Sequence, residues 1–387
     1  MVSVFDPHSF NSGTGPAASA RAGAQPASAL RRRLLAASLA GGLACLAPAG
    51  YAAAADDAFA RELAAKVPKG TRLVIAEQSS QASVPWKQSG VGAGVPYEAV
   101  FANFNGGPAV LEALVSGGVD IGYIGEAPLP IALAAGVEDL VAVALVANPG
   151  SPASTYLVVQ PGKGIDSVAD LKGRSVAYPP GTGRHMILAG ILHEHGLRLG
   201  EDVKGVQLAG AEVAPTFASG AVDAAIVLGN QYFRLGEPPI LDDGVGHNWG
   251  LNALVARKSV LDDPARGPAI ADFVRRAVAI YNWQAAHPDQ WIQANFVEQQ
   301  GLTFDQGKRL HEESGLGTFY PVDDRVLEVF QEIADGLEQT GALTRKVDVK
   351  PYVDARFNEI IARQNAADGV TPRPLENPHA PAAGQSR

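Results

Sequence analysis

The chain has 387 residues, more than one compact core usually holds and about the size of two ordinary domains. Hydrophobic residues make up 47% and charged residues 18%, a composition that excludes a disordered chain or a coiled coil. The net charge is −9, and the first 55 residues hold Arg21, Arg31, Arg32 and Arg33 against Asp6, so the remainder is more acidic still. An acidic body without a basic stripe argues against nucleic acid or an anionic membrane surface as partner. One local site can still oppose the global sign and take a small anion.

Cys45 is the single cysteine, which excludes an internal disulfide and a cysteine zinc site.

Residues 1–55 read as an export signal. Arg31-Arg32-Arg33-Leu34-Leu35 opens an apolar run to Leu46, followed by Ala47-Pro48-Ala49 and Ala52 to Ala55. That order is a basic region, a hydrophobic region and small residues at a cleavage site. The run is shorter than the roughly 20 apolar residues of a membrane span. The Arg-Arg-x-Leu-Leu order resembles a twin-arginine signal, with Leu30 where a serine is expected, so an ordinary secretory signal is the alternative. Cys45 after Leu43-Ala44 is a lipid-attachment alternative, with Gly42 where a leucine is expected. The expectation is a periplasmic or otherwise exported protein.

In chain order, a short helix is predicted from Asp56 to Lys66 and a strand at Arg72 to Ala76. A polar loop follows from Gln78 to Ser83, and a glycine turn at Gly90 to Gly94. The G-x-G-x-G spacing there is a weak phosphate-loop lookalike with no helix behind it. A strand follows at Tyr97 to Asn103, then a helix over 108–116 stopped by Gly117 and Gly118. Then come a strand ending at Gly125, a short helix to Ala135 and the strand Leu140 to Ala147. This alternation of apolar strands and helices predicts a parallel sheet covered on both faces. The second region repeats it: strand Lys172 to Tyr178, helix Arg184 to His195, strand 206–208, helix Glu212 to Ser219, strand Asp223 to Leu228. After a strand at Asn252 to Ala256, helical patterns cover Pro264 to Trp283 and roughly 288–300, 305–314, 323–339 and 351–364. Val370 to Arg387 holds four prolines and reads as a disordered tail.

An internal echo supports two like lobes. Ser116-Gly117-Gly118-Val119-Asp120 is matched by Ser219-Gly220-Ala221-Val222-Asp223, each closing a helix and opening a strand. The expected division is 56–156 with 250–369 as the first lobe and 157–249 as the second, forming a clamshell around a ligand.

The eight histidines make no metal pattern, and no Walker A sequence, nucleophile elbow or calcium loop occurs. No cofactor and no metal are expected. What remains are polar groups at the C-terminal ends of strands, where open α/β sheets bind ligands. Three loops there lead into helix N-termini, which carry free N–H groups and partial positive charge suited to an anion. They are Asn105-Gly106-Gly107, Gly125-Glu126 and Gly181-Thr182-Gly183. Arg184 and His185 occupy a first helical turn, where a cation is disfavoured unless an anion sits nearby; a surface salt bridge is the alternative. Gln78, Ser79, Thr155 and Asn230 complete the candidate ligand contacts, with Trp249 as a candidate apolar wall. Glu126 could instead cap its own helix, and Trp249 could be core.

Phe104-Asn105-Gly106-Gly107-Pro108-Ala109-Val110-Leu111-Glu112-Ala113-Leu114, with Gly118-Val119-Asp120-Ile121-Gly122 and Gly125-Glu126-Ala127-Pro128, resembles a known family. It is similar to the aliphatic sulfonate-, taurine- and nitrate-type solute-binding proteins of ABC importers. The likeness continues through Val168 to Gly173, Gly181 to His185 and Ala218 to Ala224, and covers about residues 70–340. The resemblance implies a type II periplasmic binding protein fold, two Rossmann-like lobes joined by two crossing segments, and a ligand in the cleft. It also implies a monomer that delivers its ligand to a membrane permease with a separate ATPase subunit. There are departures: Pro128-Leu129 replaces Pro-Pro, Thr182-Gly183 replaces Ser-Asn, and Leu228-Gly229-Asn230-Gln231-Tyr232 replaces a Trp-Asp-Pro-Tyr segment. The Gln/Ser loop is also longer than usual. A small organic anion, first an aliphatic sulfonate, is the expected ligand. The alternative is an enzyme on the same fold, like the sulfinate desulfinases or a thiamine-pyrimidine synthase. Both rely on a catalytic cysteine that this chain lacks beyond residue 45.

Overall fold

A computed structural model describes residues 58–375 except 149–153, 248, 316 and 340. The expected export signal and residues 376–387 of the expected tail lie outside the described residues.

The chain opens with α1 (Ala58–Ala65), β1 (Arg72–Gln78), α2 (Ser83–Gln88), β2 (Glu98–Phe104), α3 (Gly107–Ser116), β3 (Ile121–Gly125), α4 (Pro128–Ala134) and β4 (Leu140–Ala147). It crosses over to β5 (Thr155–Val159), β6 (Ser175–Tyr178), α5 (Gly183–Glu194), β7 (Lys204–Gln207), α6 (Val213–Ala218), β8 (Ala224–Leu228), α7 (Gly229–Arg234) and β9 (Ile240–Asp242). It returns as β10 (Leu251–Arg257), α8 (Lys258–Leu261), α9 (Arg266–Ala286), α10 (Pro288–Trp291) and a π-helical segment (Ile292–Gln299). The last elements are α11 (Phe304–Ser314), β11 (Thr318–Tyr320), α12 (Asp324–Gln339) and α13 (Asn358–Ala367).

Two sheets result, of order β11-β4-β10-β3-β1-β2 and β7-β6-β8-β5-β9. Each is the centre of one α/β lobe, and the chain passes from the first to the second between β4 and β5 and back between β9 and β10. Neither sheet is purely parallel as the element order predicts. β10 runs antiparallel to both β3 and β4, and β5 runs antiparallel to β8 and β9. The reason is the path of the chain. β4 leaves its lobe at the end where the C-terminal ends of β1 and β3 lie, so β5 and β10 each enter a lobe from that end and run away from it.

Both faces of both sheets are covered. Every residue of β4 is buried, and its side chains divide between two apolar clusters, with Leu140, Ala142 and Leu145 on one side and Val141, Val143 and Val146 on the other. β8 does the same with Ala224 and Ile226 against Ala225 and Val227. Each buried Val, Leu or Ile contributes roughly 1.5–3 kcal/mol relative to exposure.

The internal echo has one physical basis in both lobes. Gly117 (φ +77°) and Gly220 (φ +76°) end their helices in the left-handed region that glycine adopts without cost. Three residues later an aspartate pins the neighbouring strand. Asp120 Oδ2 accepts from the Val74 N–H at 2.8 Å, and Asp223 Oδ2 accepts from the Ser175 N–H at 3.0 Å and from its hydroxyl at 2.8 Å.

The glycine turn at 90–94 is structural. Arg276 of α9 donates to the carbonyls of Val91 and Ala93, so this loop turns its oxygens toward an internal cation.

Two parts of the C-terminal region depart from expectation. The stretch 292–314 is expected in the first lobe, but Leu302 and Leu310, with Phe296 beside them, pack among Tyr156, Phe217, Tyr232 and Phe233 of the second. Its helical periodicity marks an apolar face without saying which lobe receives it. The expected tail is packed at its start: Leu375 is buried among the first lobe's apolar side chains, and its carbonyl accepts from Arg325 Nε at 3.2 Å.

Candidate functional site

Strand ends from both lobes converge on one cavity of about 530 Å³. Gln78 and Ser79 reach it from the end of β1, and Gly125 and Glu126 from the end of β3. Asn105, Gly106 and Gly107 border it at the start of α3. From the second lobe come Thr155 at the start of β5, Thr182, Gly183 and Arg184 at the start of α5, and Asn230 in α7. Three expected residues lie elsewhere. Gly181 is not on the cavity lining; it turns the loop behind Thr182 with φ +69°. His185 and Trp249 line a second cavity of about 960 Å³, bordered by α5 and by Glu332, Ile333 and Gly336 of α12. Successive helical residues are about 100° apart, so Arg184 faces the first cavity and His185 turns away onto the Tyr178 ring, 4.8 Å between centroids.

The start of α3 is shaped for close approach. Gly106 has φ +107° and ψ +164°, a conformation closed to side chains, and a Cβ on Gly107 would come within 2.8 Å of Pro128 Cγ. Pro108 stands in the first turn, where its missing N–H costs nothing. The helix thereby presents free backbone N–H groups and its positive end beside the cavity.

On the first lobe, Ser79 (φ +51°) and Ser80 (φ +56°) form a strained left-handed pair, uncommon for residues with a Cβ. Glu77, buried at the end of β1, holds this turn by accepting from the Ala82 and Ser83 N–H groups, each at 2.8 Å. Gln78 Nε2 donates to the Tyr123 carbonyl at 3.1 Å. Glu126 is buried, and its Oε2 accepts from the Leu251 N–H at 3.3 Å. Burial raises its carboxyl pKa to about 8, against the lowering by the Leu251 and Trp249 N–H groups, so at neutral pH it is mostly protonated and uncharged.

On the second lobe, Arg184 Nη1 donates to Gln231 Oε1 at 3.1 Å and Nη2 to the Gly210 carbonyl at 3.4 Å. Gln231 is fixed in turn, accepting from the Leu228 N–H and donating to Gly210, both at 3.1 Å. Burial pulls the Arg184 guanidinium down to about 10, and no carboxylate counters that shift. Among the described residues Arg184 makes no ion pair. A mostly buried cation at a helix N-terminus, held only by neutral acceptors, leaves an uncompensated positive charge facing the cavity. Thr182 contributes less than expected: its hydroxyl donates to the Pro179 carbonyl at 2.8 Å and does not cap the helix.

Asn103, Asn148, Arg234 and Asn252 line the cavity beyond the expected set, as does Gln231, from the Leu228–Tyr232 segment that departs from the family pattern. Gln231 and Arg234 follow the C-terminal end of β8, the same rule that marked Gly125 and Glu126, and were within its reach.

Residues 92–246 match the family described as "ABC transporter, phosphonate, periplasmic substrate-binding protein". An aliphatic sulfonates-binding protein of Escherichia coli (strain K12) is 29% identical over 257 residues, covering 65% of this chain and 78% of that protein. The solved alkanesulfonate-binding protein of Xanthomonas axonopodis pv. citri, bound to MOPS, superposes with a TM-score of 0.67 at 25% identity, over 74% of this chain and 99% of that one. The fold is that of a periplasmic binding protein, and the chain is similar in sequence to proteins named for aliphatic sulfonates and for taurine. A desulfurization enzyme has the same fold, with a TM-score of 0.56 at 15% identity over 76% of this chain and 99% of that one. That likeness concerns the fold alone. Among the described residues, no helix is long and apolar enough to cross a membrane.

Proposed function

We propose that this protein is the exported solute-binding component of an ABC importer, and that it captures a small organic anion, an aliphatic sulfonate, between its lobes for a membrane permease with a separate ATPase. The observation that carries the ligand class is Arg184. Its guanidinium borders the cavity, mostly buried, with Gln231 and Gly210 as neutral partners. The starts of α3 and α5 add N–H donors, and the protonated Glu126 withholds negative charge. A cavity of about 530 Å³ suits a small molecule. The relatives named as sulfonate-binding proteins support the same ligand class. Capture is a population shift: the anion favours the form in which both lobes reach it, and the permease reads that form.

The export signal proposed for residues 1–55 would bring the chain to the periplasm, the compartment named for the matching family. Catalysis on the sulfinate-desulfinase plan lacks its nucleophile, because Cys45 is the only cysteine and lies in that segment.

Thermal unfolding against a ligand panel tests this reading, with alkanesulfonates, taurine, arylsulfonates, sulfate, nitrate and pyrimidines. A ligand at about 100 times its Kd stabilises by ~2.7 kcal/mol, a shift of several degrees. A shift with alkanesulfonates and none with nitrate is the expected result. A shift with nitrate or pyrimidines alone overturns the sulfonate assignment. No shift, with no small molecule released from the denatured protein in mass spectrometry, overturns ligand capture.

A further inference from the structure

The two walls of the cavity are tied together by a piece of chain outside its lining. The π-helical segment leaves the first lobe after α10, and its C-terminal end and α11 pack on the second lobe before β11 rejoins β4 of the first. π-Helical turns are rare and gather at functional sites. At the end of this one, two adjacent glutamines point to opposite walls. Gln299 Nε2 donates to Ser80 Oγ at 3.4 Å, in the strained turn that carries Ser79 to the cavity. Gln300 Oε1 accepts from Asn230 Nδ2 at 2.8 Å, and the Gln300 carbonyl accepts from Arg234. Asn230 and Arg234 both line the cavity from α7. Further along, Tyr156 donates to Glu313, which also pairs with Arg309 at 2.8 Å, and these anchor α11 to the second lobe.

We infer that Gln299 and Gln300 form a clasp across the cleft: positioning residues that hold the Ser79–Ser80 turn of one lobe and the Asn230–Arg234 helix of the other at the separation where the cavity is complete. The inference rests on reading the cavity as a ligand cleft. The chemistry of the clasp suits a reversible role. Its two side-chain bonds are neutral amide and hydroxyl contacts, each of modest net strength in water, and Gln299 is exposed; the Arg234 guanidinium adds a bond to the Gln300 backbone. Such a joint biases the lobe separation without locking it. Losing it lowers the population of the binding-competent form, and apparent affinity falls in proportion to that population.

The test reads lobe separation in the ligand-free full chain. Cys45→Ser removes the native thiol. Lys66→Cys and Lys172→Cys then place spin labels on opposite lobes, at side chains that are 57% and 73% exposed. Double electron–electron resonance compares this reference with Gln299→Ala/Gln300→Ala and, from the opposite wall, with Ser80→Ala. Both variants are expected to show longer, broader distance distributions at an unchanged melting temperature. MOPS binding is expected to weaken about tenfold, as for a competent fraction that drops to about one tenth. Distance distributions that match the reference in both variants overturn the clasp. The distances are read without ligand, so a failure of MOPS to bind the reference chain would count against the sulfonate reading alone.

Discussion

Arg184 Nη1 donates to Gln231 Oε1 at 3.1 Å, so the charge facing the cavity is oriented by an amide that cannot neutralise it. Replacing that amide with a carboxylate supplies an internal anion at the same place. Gln231→Glu is expected to weaken binding of ethanesulfonate by tenfold or more, since a hydrogen bond to a charged group contributes about 1.5–3 kcal/mol and the guanidinium would be shared. Isothermal titration calorimetry checks this, and unchanged affinity would mean that Arg184 is not the anion's partner.

Glu126 makes stability depend on pH in a stated direction. Its carboxyl pKa is about 8 in the folded protein against 4.5 in the unfolded chain. Below 4.5 both states are protonated and the group is neutral in the balance. Between 4.5 and 8 the unfolded state releases its proton while the folded state keeps it, so folding loses about 1.4 kcal/mol per pH unit at most. Glu126→Gln removes this cost. Its melting temperature relative to the parent should rise across that window and level off above pH 8. A difference that does not change with pH contradicts the assignment.

The two echoing aspartates predict equivalent lesions in the two lobes. Asp120→Ala frees the Val74 N–H and Asp223→Ala frees the Ser175 N–H and hydroxyl, each costing about 1–3 kcal/mol by the loss of a partner. The sites share no partner, so the double variant should lose the sum. Asp223 adds a sign of its own: the Ser175 N–H lowers its pKa below 3.8, so its contribution is present above that pH and fades as the solution becomes more acidic. Urea unfolding of the single and double variants checks both statements, and an effect on one lobe only would contradict the equivalence.

Gly107→Ala tests the shape of the cavity wall at the start of α3. Its Cβ would stand 2.8 Å from Pro128 Cγ, a ring atom at the start of α4 that cannot swing aside. Overpacking of this kind costs about 1–3 kcal/mol and displaces the N–H groups of α3 from the cavity. The expected outcome is a lower melting temperature together with weaker sulfonate binding. Full affinity in a folded variant would show that α3 contributes nothing to the site.

Much of this architecture is legible in the residues, and what is not has a physical reason. Helices closed by Gly117 and Gly220, and fully apolar strands such as Leu140 to Ala147, follow from local chemistry. The loops at strand ends led to most of the cavity lining for the same reason. Strand direction did not follow, because β5 and β10 take theirs from where the chain crosses between lobes. The packing of 292–314 on the second lobe depends on tertiary partners that no periodicity names. Arg184 and His185 are neighbours in sequence, yet a helix sends their side chains to different cavities. Thr182 has the right place and the wrong bond, its hydroxyl donating to Pro179.

On the proposed function, the uncompensated Arg184 guanidinium recruits the anionic ligand. Arg184→Met keeps much of the side-chain bulk and removes the charge whose burial pulls its pKa to about 10. The measurement is a calorimetric titration of ethanesulfonate into the parent and this variant at pH 7, with the melting temperature of each recorded without ligand. The expected result is binding by the parent, a loss of at least about tenfold in the variant, and a ligand-free melting temperature that is equal or higher once the buried charge is gone. Equal affinity in both proteins would contradict it.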